Sequence, residues 1–117
     1  MGSLTYHHAV IAFEDRVLAH LQVVIVNKLR RRESFVMSWR DPEESGDGRS
    51  TIWLDPSIPL YFKFEGSRSP QIDRTWLERL TESANSSSGL IVVDEAGQPV
   101  HALRDVEGTG LQRLRAG

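Results

Sequence analysis

Val17-Leu18-Ala19-His20-Leu21-Gln22-Val23-Val24-Ile25-Val26-Asn27-Lys28-Leu29-Arg30 is followed at once by Arg31-Arg32-Glu33-Ser34-Phe35-Val36-Met37-Ser38-Trp39-Arg40. In the first run Val17, Leu18, Leu21, Val24, Ile25 and Leu29 recur at three- and four-residue spacings, one face of an amphipathic helix. In the second, Phe35, Met37 and Trp39 alternate with Ser34, Val36, Ser38 and Arg40, as a half-buried strand does. The period changes within a few residues, so the chain mixes helix and sheet. Lys28, Arg30, Arg31 and Arg32 fall at the helix C-terminus, where cations complement the helix dipole. Val23 and Val26 lie off the main stripe. The helix is therefore covered on two sides, or it contributes to an oligomer interface.

Upstream, Leu4–Tyr6 and Val10–Phe13 read as two short strands around a turn, with His7 and His8 on a strand and facing opposite sides. Downstream, Asp41–Gly48 is dense in turn formers and acids, and Arg49–Leu54 is a second strand that pairs with 34–40 as a hairpin. Leu60, Phe62 and Phe64 share one face of a third strand, with Tyr61, Lys63 and Glu65 on the other, and three consecutive strands predict an antiparallel meander. Asp73 is a fitting N-cap for a second helix whose stripe is Ile72, Trp76, Leu80 and Ala84. Leu90–Val93 is wholly apolar and predicts a strand internal to the sheet or buried on both faces. The expected class is α+β: two helices packed on one mostly antiparallel sheet, in the order ββ-α-βββ-α-β. The domain is expected to span residues 1–94. Residues 95–117 carry few apolar side chains and read as a flexible C-terminal tail, the alternative being a short docking helix through Val100, Leu103 and Val106.

At 117 residues, one domain with one modest core is expected. Hydrophobic residues at 39% and charged residues at 26% exclude wholesale disorder. A net charge of −2 argues against a globally basic nucleic-acid binder. The absence of cysteine excludes disulfides, thiolate zinc sites and cysteine nucleophiles. Apolar runs such as Val23–Val26 are far below the ~20 residues of a membrane span, so the expectation is a cytoplasmic protein without a membrane partner.

Leu18–Val26, Ser34-Phe35 through Ser38-Trp39, Ile52-Trp53-Leu54-Asp55-Pro56-Ser57-Ile58-Pro59-Leu60, Gly66-Ser67-Arg68 and Ser83-Ala84-Asn85-Ser86 resemble a family of short actinobacterial proteins. Its members are often labelled "ATP-dependent DNA ligase". The resemblance covers about residues 1–93. It implies a role linked to DNA ligation or repair, with ATP as cofactor only if that label holds.

The residues test the label poorly. A nucleotidyltransferase needs a lysine in a Lys-x-Asp-Gly-type element, and Lys63-Phe64-Glu65-Gly66 is a near match. Two lysines and nine glycines give about 0.15 Lys-x-x-Gly matches by chance, so the signal is weak. Strand phase explains Lys63 equally well as a solvent-facing residue. Lys28, Arg30, Arg31 and Arg32, extended by Arg68, are the nucleic-acid-binding candidates, since Arg forks suit phosphates. The plain counter-reading is a solvated helix end balanced by Glu33 and the acidic loop. The four histidines show no metal-ligand spacing, and no Walker, Gly-x-Ser-x-Gly or dinucleotide element occurs. Trp53 is out of phase with Ile52 and Leu54, so it shares an open sheet face with Tyr61. That pair, with Val23 and Val26, forms the interface candidates.

The leading expectation is a non-catalytic binding module with no cofactor and no metal, acting through its open sheet face and helix edge on a protein partner or a second copy. The runner-up is a DNA-associated protein. Third is a nucleotidyltransferase using Lys63.

Overall fold

The computed structural model describes residues 1–106. Strands β1 (Gly2–Tyr6) and β2 (Ala9–Phe13) form a hairpin whose register pairs Tyr6 with Ala9. His7 and His8 are thus the two loop residues, not strand residues, with ring centroids 4.1 Å apart. Helix α1 (Asp15–Arg30) follows, then β3 (Phe35–Arg40), a single 3-10 turn, β4 (Arg49–Leu54), β5 (Leu60–Lys63), α2 (Arg74–Ala84), β6 (Leu90–Ile91) and β7 (Arg104–Val106). The class is α+β, and through β6 the element order is ββ-α-βββ-α-β as the sequence predicts.

The strands divide between two sheets instead of filling one. The first has the order β5-β1-β2-β7 and the second β4-β3-β6. The expected meander stops at the β3–β4 hairpin, because β5 leaves to pair with β1, Leu4 opposite Phe62 and Tyr6 opposite Leu60. The turn that redirects it is built on Asp55. Its backbone N–H donates to the Tyr6 hydroxyl at 2.9 Å, and its carboxylate accepts from the Ser57 N–H and hydroxyl and from the Ser34 hydroxyl. These donors, those of Ser57 foremost, hold the Asp55 carboxyl below the usual carboxylate range. Strand β6 lies at a sheet edge, parallel to β3, and is buried at Leu90 only, with Ile91 exposed. It is not the internal strand its composition suggests.

One hydrophobic core joins everything. Leu4, Ile11 and Phe13 from the first sheet meet Met37, Trp39 and Leu54 from the second, and α1 and α2 add Leu18, Leu21, Ile25, Trp76 and Leu80. Phe13 and Trp39 pack edge to face across the two sheets, centroids 6.4 Å apart. His20, fully buried on α1, joins the helices. Its Nδ1 lies 2.7 Å from the Arg16 carbonyl, and its Nε2 accepts from the Asp73 N–H at 2.9 Å. A carbonyl only accepts and an amide only donates, so the ring is neutral with its proton on Nδ1. The same ring stacks on Trp76 at 3.9 Å. Asp73 caps α2 as expected, accepting from the Trp76 N–H.

Residues 95–106, read from composition as the start of a tail, are part of the fold. A hairpin closes at Val93–Pro99, His101 bridges to Arg40, and β7 pairs with β2. Residues 107–117 lie outside the described part.

Candidate interaction surface

The strand phase that buries Phe35, Met37 and Trp39 on β3 turns Val36, Ser38 and Arg40 outward. Register sets these against β4: Val36 opposite Trp53, Ser38 opposite Thr51, Arg40 opposite Arg49. The outer face of the second sheet is therefore graded. It is apolar at the Val36–Trp53 end, hydroxylated in the middle, where the Ser38 and Thr51 oxygens are 2.8 Å apart, and cationic at the Arg40–Arg49 end. At ~3.4 Å per residue the gradient from Trp53 to Arg49 spans about 14 Å. Arg40 is partly committed, with one guanidinium nitrogen 2.9 Å from the Asp47 carboxylate, which His101 approaches at 3.4 Å. Arg49 makes no ion pair among the described residues. A groove of about 430 Å³ runs along this face, walled by Ser88, Ile91 and Pro99 from the β6 side.

Trp53 is 58% exposed and Tyr61 64% exposed, as their phases predict, but they belong to different sheets and form no aromatic pair. Val23 is half-buried in a groove it shares with Gly66, Ser67, Arg68 and Pro70. Val26 is half-buried too.

The cationic candidates do not form one patch. Lys28 is buried: its Nζ donates to Asn85 at 3.1 Å, pairs with Glu33 at 3.0 Å and sits 5.5 Å from the Phe35 ring centre. Arg31 pairs with the same Glu33 at 3.3 Å. The two cations, Arg31 first, hold the Glu33 carboxyl below its ordinary range. Arg30 and Arg32 are exposed and make no ion pair among the described residues. Arg68 lies beside Ala19, Gln22 and Val23, about eight residues or ~12 Å up the helix from Arg30.

Lys63 is exposed at the end of β5 and lines neither the groove on the β3–β4 face nor the one beside Arg68. The rest of its element does structural work. The Glu65 and Gly66 amides donate to the Asp15 carboxylate at 3.0 and 2.8 Å, clamping the loop to the start of α1. Those bonds, Gly66 first, hold the Asp15 carboxyl below the usual range. Among the described residues no three His, Asp or Glu side chains cluster as a metal ion would require, and no helix is long and apolar enough to cross a membrane.

Sequence reasoning reached Trp53 on an open face but did not set Thr51 or Ser38 beside it. Alternation in both strands carries the signal for them. It becomes readable once the hairpin register is fixed.

An α+β domain that presents one graded, open sheet face is the class that fold and surface define. The chain belongs to the family described as Domain of unknown function (DUF7882), whose model matches residues 1–95. No curated protein and no solved structure matches it.

Proposed function

We propose that this protein is a non-catalytic protein-interaction module whose recognition surface is the outer face of the β4-β3-β6 sheet. The observation that carries the reading is Trp53: a large aromatic side chain held 58% exposed, in line with Thr51 and with Arg49, which makes no ion pair among the described residues. Leaving such a ring in water brings the fold no burial, whereas aromatic and Arg side chains are the ones that anchor interfaces. The fitting ligand is an extended acidic peptide segment, its apolar residue on Trp53 and Val36 and its carboxylate on Arg49. The test is anisotropy with a panel of labelled extended peptides carrying an aromatic and an acidic residue four apart. Saturable binding that weakens at least about tenfold in both Trp53→Ala and Arg49→Glu is expected. Binding untouched by either change, or none at all, would overturn the reading.

Exposed Arg30 and Arg32 support the alternative, a DNA-associated protein. It predicts saturable binding of a nicked duplex that weakens steeply with salt. On the leading reading that titration is flat. A nucleotidyltransferase working through Lys63 would leave a labelled adenylate on that lysine after incubation with ATP. Lys63 stands exposed on the solvent phase of a strand end, where strand alternation alone accounts for it, so no adduct is expected.

A further inference from the structure

The free edge of β4 complements itself. Among the described residues β4 has only β3 as a neighbour. The Asp41 N–H bonds the Gly48 carbonyl, so the even-numbered residues of β4 direct their backbone groups to β3. The N–H and C=O groups of Arg49, Thr51 and Trp53 therefore point away from the sheet, into the open. Other edges carry the devices that keep strands apart. β5 has four residues, preceded by Pro59 and ended by Lys63, and β6 has two residues. β4 has six residues with no Pro, no Lys and an exposed Trp.

We infer that β4 is a homodimerisation edge, pairing antiparallel with β4 of a second copy about a two-fold axis at Thr51. This rests on the reading of the outer face as an interaction surface, and names a second copy of the chain as one partner. In that register Thr51 faces Thr51 of the other copy, and Arg49 of each chain faces Trp53 of the other. Every outward N–H then meets an outward C=O. Each Arg49 guanidinium then lies beside an indole, the best cation–π acceptor among side chains. Centring on Ser50 or Ile52 instead leaves Trp53 or Arg49 beyond the end of the opposing strand. The pairing joins two three-stranded sheets into one six-stranded sheet with a continuous outer face.

Sedimentation velocity of the full chain across a concentration range tests this, read together with tryptophan emission. Trp39 and Trp76 are both 2% exposed, so a blue shift on association reports Trp53. The expected result is concentration-dependent conversion from 13.2 kDa to twice that mass, with the emission shift following it. Thr51→Pro removes an outward N–H and spares the bonds to β3, and edge strands tolerate proline at such positions. Trp53→Glu leaves the backbone intact, so it serves should the proline variant fail to fold. Each is expected to weaken association at least about tenfold. A wild-type chain that stays at 13.2 kDa throughout, or variants that dimerise equally well, would overturn the inference. If that monomer still binds acidic peptides through Trp53, the dimer edge fails and the proposed function stands.

Discussion

A single buried ring decides how the two helices meet. His20 spends both nitrogens on backbone groups of two elements and its face on Trp76. Replacing it by Phe keeps a stack but leaves the Asp73 N–H without its acceptor, and such orphaned donors cost about 1–3 kcal/mol. Urea unfolding of His20→Phe is expected to show a loss in that range; a loss under about 0.5 kcal/mol would mean that water replaces the ring nitrogen. Nothing in sequence marks this histidine, since a lone His on an apolar helix has no spacing partner to announce a role. Gly89 is a second such residue. It has φ +79°, and a Cβ there would meet Val36 Cγ2 at 2.2 Å and the Val36 carbonyl at 2.6 Å. Gly89→Ala is expected to lose about 2–4 kcal/mol, combining left-handed strain with overpacking against β3. In sequence it reads only as a helix terminator.

Elements were legible where their own period reveals them, and not where their partners lie far along the chain. The helix stripe, the β3–β4 alternation and the Asp73 cap all follow from residues within a few positions of one another. The departure of β5 to β1 does not, because Leu60 and Phe62 alternate identically whichever strand receives them. Nor does the clamp at α1. Asp15 looks like a cap residue, yet its carboxylate binds the amides of Glu65 and Gly66, 50 and 51 residues away. That clamp predicts an acid response. Folding lowers the pKa of Asp15, as it does for Asp55 and for Asp73, where the Trp76 amide is the main cause. The folded state then binds these protons less tightly than the unfolded chain. Their stabilisation is full above the ordinary value of 3.8 and is lost as pH falls through the lowered folded values. Urea midpoints measured from roughly pH 6 to pH 2 should fall at the acid end, and Asp15→Asn should make that fall shallower. Equal slopes for the two proteins would show that the clamp does not depend on charge.

At the scale of the molecule, the surprise lies in residues 95–106, where scarce apolar side chains suggest a tail and the backbone makes a strap. Val100 C=O accepts from the Arg40 N–H at 3.0 Å, and the Ala102 N–H donates to Arg40 C=O at 2.9 Å, extending the second sheet. Leu103 C=O then accepts from the Ala12 N–H at 3.1 Å, and β7 joins the first sheet. One segment thus ties the two sheets together almost wholly through main-chain bonds, which composition cannot display. Side chains reinforce it: Ala102 is buried, and Arg16 grips Glu95 at 2.6 Å, an interaction that raises the Arg16 pKa. The family model ends at residue 95, close to the boundary that composition suggests, so the strap lies almost entirely beyond it. Ending the chain after Asp94 would orphan the Arg40 N–H and C=O and the Ala12 N–H, and uncover β2 as a new edge. At about 1–3 kcal/mol for each of the three orphaned groups, the loss is on the order of 3–9 kcal/mol. That rivals the whole stability of a small domain, about 5–15 kcal/mol. Calorimetry of the 1–94 chain is expected to show a melting transition far below that of the full chain, or none. A truncated protein that melts with the parent would show that the two sheets hold through Phe13, Trp39 and the helices alone, and that the strap is ornament to the fold.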